Sequence, residues 1–112
     1  MTSLVVLLFT FVTSGLVLAA VSVPLILGRI SPNGLYGFRV RKTMQNPQIW
    51  YPVNKLGGKR LLLASLGLVL AAVSFFFVPH LRIDTYSYAV LIVWVAMFAF
   101  AVVSTFRYMN TL

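Results

Sequence analysis

Three stretches of this sequence contain no charged residue, and their length constrains the fold more than any other feature. They run from Met1 to Gly28, from Leu61 to Pro79 and from Thr85 to Phe106. A helix needs about 20 consecutive apolar residues to cross a bilayer, so each stretch predicts one transmembrane helix. The expected fold is an all-α membrane protein, a single domain of residues 1–112 with spanning helices at about 4–27, 61–78 and 86–106.

Composition excludes a water-soluble domain. Hydrophobic residues make up 61% of the chain and charged residues 9%, against roughly 45–50% and about 25% in globular domains. So few polar side chains cannot cover the surface of a soluble particle. The start Met1-Thr2-Ser3 has no basic residue, and the apolar run after it is longer than in a secretory signal, so we expect a retained helix.

The reactive side chains are too few for most chemistry. Asp84 is the single carboxylate side chain, His80 is the single histidine and there is no cysteine. Paired-carboxylate catalysis, carboxylate metal cages, disulfides and zinc sites are therefore excluded within one chain. We expect no catalytic residue, no metal and no cofactor. An enzyme that uses His80 or a tyrosine is the least favoured alternative, because His80 is predicted on the membrane side away from the polar loop.

Seven of the nine Lys and Arg residues lie between residues 29 and 60, and the net charge is +8. These cations interrupt hydrophobic runs, so anionic lipid headgroups are a better counter-charge than nucleic acid. The positive-inside rule places this basic loop in the cytoplasm, with the N-terminus outside and the C-terminus inside. Four cations that flank helices are predicted to contact lipid headgroups: Arg29, Lys59, Arg60 and Arg107.

Two further patterns concern the helices. Small residues share one face of the second helix, where another backbone can approach closely: Ala64, Gly67, Ala71 and Ser74. That face is predicted to be an interface, within the bundle or between copies in a homo-oligomer. Aromatic residues are expected at both membrane surfaces. Those expected at the inner surface are Tyr36, Trp50, Tyr51 and Tyr108, and those expected at the outer surface are Tyr86 and Tyr88.

The basic loop carries the most specific signals. Pro32-Asn33-Gly34 predicts a tight turn, and Asn46-Pro47 predicts that a short helix begins at Pro47. Pro52 predicts a kink, or a short turn after which the main helix restarts at Pro52. In Tyr36-Gly37-Phe38-Arg39, a residue without a Cβ stands between two rings, and the Arg39 guanidinium fork suits a phosphate or carboxylate.

At these residues the sequence resembles the SdpI-like family of small bacterial membrane proteins, named after immunity to the sporulation-delaying-protein toxin. The matching elements are Asn33, Tyr36-Gly37-Phe38-Arg39, Trp50, Asn54 and Gly58. The Thr-Pro pair that often comes after the motif Arg in the family is replaced by Val40-Arg41.

The resemblance implies a non-enzymatic protein of the bacterial cytoplasmic membrane. It is expected to bind a toxin peptide or a cytoplasmic regulator through residues 33–58. The implied partner-binding residues are Asn33, Gly34, Tyr36, Gly37, Arg39, Trp50, Asn54 and Gly58. An oligomeric transport or channel subunit is the alternative, although no charged residue is expected in mid-membrane to mark an ion path.

Overall fold

A computed structural model describes residues 3–112. The helices are α1 (Ser3–Ile26), α2 (Arg41–Gln45), α3 (Pro47–Phe76) and α4 (Ile83–Met109), and residues 3–112 contain no strand. The helices α1, α3 and α4 are each long and apolar enough to cross a membrane. The molecule is 51 Å long, against about 30 Å for the hydrocarbon core of a bilayer. The predicted all-α fold with three candidate spans is confirmed.

The helix α3 is longer than the sequence suggested. It begins at Pro47, as predicted, but it continues through Pro52 without restarting there and without a separate start at Leu61. Pro52 removes one helical hydrogen bond, the one to the carbonyl of Gln48. Gln48 is exposed, so water can bond that carbonyl and the interruption is inexpensive. The basic loop therefore ends at Asn46, and the residues from Pro47 onward form the first turns of α3.

The central helix of the bundle is α3. It packs against α1 on one side and α4 on the other, while α1 and α4 have few contacts with each other. Small residues make the close approaches possible: Gly67 lies against Met97 of α4, and a Cβ on Gly15 of α1 would come within 3.1 Å of the Ser65 carbonyl oxygen. The small-residue face of α3 thus serves as an interface within the chain, and contact between copies stays a prediction.

The two ends of the bundle differ in composition. We call the end that holds residues 27–46, the first turns of α3 and the last turn of α4 the basic end. The far end holds the connection between α3 and α4 and the start of α4. There Asp84 forms an exposed ion pair with Arg82 at 3.3 Å. Since Asp84 is the single acidic side chain, the cations of the basic end have no carboxylate side chain of this chain near them.

The far end has an apolar core around Tyr86. Its cluster of buried residues consists of Leu68, Ala72, Tyr86 and Val90. The Tyr86 hydroxyl donates to the Ala72 carbonyl at 2.8 Å, and Phe11 of α1 packs edge-on against the Tyr86 ring at 6.0 Å. Tyr86 is fully buried, so it does not face lipid as the predicted anchor would, while its depth in the membrane stays a prediction. The Tyr86 side chain joins α4 to its neighbours, because its hydroxyl bonds a backbone carbonyl of α3 and its apolar ring packs against α1.

Candidate partner-binding site

Asn33 organises the turn after α1. Its Oδ1 accepts hydrogen bonds from the backbone N–H groups of Leu35 and Tyr36, both at 2.8 Å. Its Nδ2 donates to the carbonyls of Ser31 and Tyr36 at 2.8 and 3.0 Å. These bonds form an Asx turn, in which a side-chain amide replaces backbone partners. Asn33 therefore shapes the segment that carries Tyr36 and Arg39.

Gly37 lies directly against the first turns of α3. Its φ is +110°, a backbone conformation that favours glycine, and a Cβ there would lie 2.7 Å from Asn54 Oδ1 and 3.0 Å from the Trp50 ring. Asn54 Oδ1 accepts a hydrogen bond from the Phe38 N–H at 2.5 Å, while its Nδ2 donates to the Trp50 carbonyl at 3.0 Å. The spacing of Trp50 and Asn54, one helical turn apart, places both beside Gly37.

Trp50 is enclosed by protein rather than by lipid. Its side chain has no exposed surface, and its Nε1 donates to the Ile30 carbonyl at 2.7 Å. The prediction of a membrane-surface anchor is therefore wrong for Trp50. The indole joins the end of α1 to the start of α3, because a buried indole N–H requires an acceptor and the turn after α1 offers a free carbonyl.

Two residues that hold the basic end together, Thr43 and Lys42, were not predicted from the sequence. The buried Thr43 hydroxyl lies 2.8 Å from the Phe38 carbonyl oxygen and accepts the Val40 N–H at 3.0 Å. Lys42 Nζ donates to the Met109 carbonyl at 3.1 Å, a carbonyl in the last turn of α4. A Thr three residues after the N-cap Val40 of a short helix is the one local signal in the sequence. The contact of Lys42 depends on the tertiary fold.

The Tyr36–Arg39 segment lines a groove between α1 and α4, which we call the Tyr36 groove. It has a volume of about 390 Å³, and its walls include Val21 and Leu25 of α1, and Phe98, Val102 and Phe106 of α4. The ring of Phe38 packs edge-on against Phe106 at 5.9 Å. The groove is thus apolar on both helices and polar only where the segment crosses it.

Two polar side chains of the segment border the Tyr36 groove. The Tyr36 hydroxyl is buried and has no hydrogen-bond partner, and burial raises the pKa of the Tyr36 phenol above its usual range. The phenol therefore stays neutral near pH 7 and can donate a hydrogen bond. Arg39 is exposed, and its Nε donates to the Asn33 carbonyl at 2.8 Å. That bond orients the guanidinium beside the opening.

The structure brings most of the predicted partner-binding residues together, but not all of them. Asn33, Tyr36, Gly37, Arg39, Trp50 and Asn54 form one connected cluster. Gly34 is exposed with no atom near its missing Cβ, and Gly58 packs against Ser22 and Leu25 of α1 instead. Whether any of these residues contacts a partner stays a prediction.

The four cations assigned to lipid headgroups fall into two groups. Arg29, Lys59 and Arg107 are exposed, whereas Arg60 is half-buried and lies over the Phe100 ring at 5.9 Å. Their contact with headgroups stays a prediction. Within residues 3–112, no group of three His, Asp or Glu side chains is arranged to hold a metal ion.

Comparison with known proteins gives one positive result. The chain matches no curated protein and no solved structure. The model of the SdpI/YfhL protein family matches residues 29–107, which include the Asn33–Arg39 segment, α2, α3 and α4 up to Arg107. With the fold and this match together, the chain belongs to the SdpI/YfhL protein family, and the resemblance seen in the basic loop is confirmed.

Proposed function

We propose that this protein is a non-enzymatic protein of the bacterial cytoplasmic membrane that binds a membrane-active toxin peptide in the Tyr36 groove and thereby confers immunity. The observation that carries the proposal is the position of the family motif. Tyr36, Gly37 and Arg39 line a groove whose other walls are apolar helix surfaces. A motif placed there is well suited to an apolar partner that arrives from within the membrane.

The chemistry of the groove defines the partner. Apolar walls on α1 and α4 suit the hydrophobic face of a peptide helix, because helix packing in lipid depends on close van der Waals contact. The unpartnered Tyr36 hydroxyl offers a donor, and Arg39 offers a charged fork for a carboxylate. A toxin peptide with an apolar helix and one terminal or side-chain carboxylate matches all three features.

Few residues of the motif are free to touch the partner. The polar groups of Asn33, Trp50 and Asn54 already bond within the chain, so their role is to hold the segment in place. Contact with the partner is assigned to Tyr36 and Arg39. A soluble cytoplasmic regulator is less well matched, because the walls of the groove are spanning helices rather than a hydrated surface.

The proposal can be tested in cells that lack the gene and are challenged with secreted pore-forming peptides from related bacteria. Complementation with wild type should preserve survival and membrane potential. Arg39→Gln and Val102→Trp, the second of which fills the groove, should lose most of this protection at equal abundance. Arg41→Gln is the matched control, because Arg41 is an exposed cation two residues away that does not line the groove.

The outcomes separate the alternatives. Equal protection by wild type, Arg39→Gln and Val102→Trp would show that the Tyr36 groove is not the binding site. No protection by wild type would contradict an immunity role and would favour a regulator as the partner. Crosslinking from a photoreactive residue at position 102 would then identify what the groove binds.

A further inference from the structure

A second groove lies beside Arg60, on the other side of the contact between α3 and α4. It has a volume of about 300 Å³ and is bordered by Arg60, Leu63, Ala64, Ala96, Met97 and Phe100. At about 100° per helical residue, the α4 residues of this groove point away from those of the Tyr36 groove. The two grooves are therefore separate, and a ligand in the second groove is independent of the proposed function.

Arg60 is incompletely satisfied in this groove. Its Nη1 is buried and has no hydrogen-bond partner. The guanidinium lies 5.9 Å from the centre of the Phe100 ring, a contact that attracts the cation but accepts none of its N–H groups in their plane. A buried donor without an acceptor is costly, and a charged one is more so. Arg60 as a whole is only half-buried, so an anion in the groove can reach its accessible N–H groups and compensate the charge that Nη1 leaves unsatisfied.

No acceptor of opposite charge is available from the side chains of the protein itself. The single carboxylate side chain, Asp84, lies at the far end and is paired with Arg82. Arg60 sits about 10 Å deeper than Arg107, because its partner Phe100 precedes Arg107 by seven residues of α4. Charged side chains at such depth are expensive unless they meet a counter-charge. No side chain of this chain can supply that counter-charge, so an anion from the surrounding membrane is the candidate.

The direction of the side chain places that anion toward the basic end. Helical side chains lean toward the N-terminus of their helix, and α3 begins at the basic end. The groove continues along α4 in the same direction, because Phe100 also borders a neighbouring furrow that ends at Arg107. Arg60 borders the groove, and Arg107 lies at the end of the neighbouring furrow. These cations suit a lipid phosphate, and the apolar walls suit the acyl chain joined to it.

We propose that one anionic glycerophospholipid binds here, with its phosphate on Arg60 and an acyl chain along Leu63, Ala64 and Phe100. The exposed sides of Leu63 and Phe100, 64% and 67% accessible, show that the groove opens to the surrounding lipid. This is a defined site for a single lipid, unlike the general attraction of headgroups by the exposed cations Arg29 and Lys59.

The test uses the purified full chain in detergent, with native mass spectrometry to count bound lipids during titration with phosphatidylglycerol or phosphatidylcholine. Wild type should retain one phosphatidylglycerol, at least tenfold more tightly than phosphatidylcholine. Arg60→Gln should weaken phosphatidylglycerol binding about tenfold. Arg41→Gln, which removes an exposed cation outside the groove, should change it less than twofold.

A second variant keeps the proposal testable if Arg60→Gln fails to fold, as judged by helical circular dichroism and gel filtration. Ala96→Phe fills the groove from an exposed position and leaves Arg60 intact, so it should also weaken phosphatidylglycerol binding about tenfold. Unchanged binding in either folded variant, or equal binding of the two lipids by wild type, would overturn the proposal. So would displacement of the lipid by an equal concentration of glycerol 3-phosphate, which has no acyl chain.

Discussion

The far end of the bundle is held by apolar contacts around Tyr86, whereas the basic end is held by side chains that bond to backbone atoms. At the far end, one hydrogen bond joins two helices through a phenol. At the basic end, Asn33 bonds backbone groups of its own turn. Asn54, Trp50 and Lys42 each bond a backbone group of another segment. Apolar packing tolerates small changes of shape, but hydrogen bonds require particular atoms at particular distances.

The difference explains why the recognisable motif lies at one end. An irregular segment between two spanning helices must satisfy its backbone N–H and C=O groups without regular helix bonds. The amide side chains of Asn33 and Asn54 accept the backbone N–H groups of Leu35, Tyr36 and Phe38. The far end needs no such device because only a short connection lies there. Substitutions should therefore cost more at the basic end than at the far end.

Gly37→Ala is expected to have the largest effect. The positive φ of Gly37 and the 2.7 Å approach to Asn54 Oδ1 should together lower the free energy of unfolding by about 3 kcal/mol. Gly34→Ala is the matched control and should change it by less than about 0.5 kcal/mol, because no atom lies near that position. Equal effects in SDS titrations from detergent micelles would show that the segment is not fixed against α3.

Asn54→Leu should have the next largest effect. Leucine is of similar size, but it leaves the Phe38 N–H without an acceptor, which should lower the free energy of unfolding by about 2 kcal/mol. Hydrogen exchange of the Phe38 amide, measured by NMR in micelles, should become much faster in this variant. Unchanged exchange would mean that the amide has another partner.

Lys42→Met should have an intermediate effect. Methionine keeps much of the apolar stem but cannot bond the Met109 carbonyl, so a loss of about 1 kcal/mol is expected. The last turn of α4 should exchange its amides faster while the core cluster at the far end stays unchanged. Uniform acceleration along α4 would indicate that the two ends are not independent.

Tyr86→Phe should have the smallest effect, although Tyr86 is fully buried. The Ala72 carbonyl keeps its place in α3 and the ring contacts persist, so only about 0.6 kcal/mol should be lost. A loss as large as that of Asn54→Leu, measured by the same SDS titration, would contradict the contrast between the ends.

Much of the fold was predictable because long apolar runs have few other structures available. The number of candidate spans and the helix start at Pro47 came from local chemistry. The continuation of α3 through Pro52 could not be predicted, because the cost of a proline in a helix depends on whether the carbonyl that loses its hydrogen bond finds another partner. Tyr86 and Trp50 were expected to face lipid as anchors, because the statistical preference of aromatic residues for membrane surfaces does not show which of them the packing of the helices buries.

The candidate site was predictable only in part, for a related reason. The spacing of Trp50 and Asn54 placed both on one helical face, and Gly37 between two rings suggested a close approach. The pairing of these groups joins residues more than a dozen positions apart, as do the contacts of Lys42 and Phe38 with α4. Such contacts become visible only when the helices are arranged in space.

The contacts of residues 38–42 with the last turn of α4 also determine when the basic end can be completed during synthesis. Phe38 packs edge-on against Phe106, and Lys42 bonds the Met109 carbonyl. Both partners lie in α4, which follows α3 in the chain and is therefore synthesised after it. The turn after α1 is therefore translated early but acquires its final neighbours late, so insertion of α4 is the step that converts a pair of helices with an open loop into a protein with a formed groove.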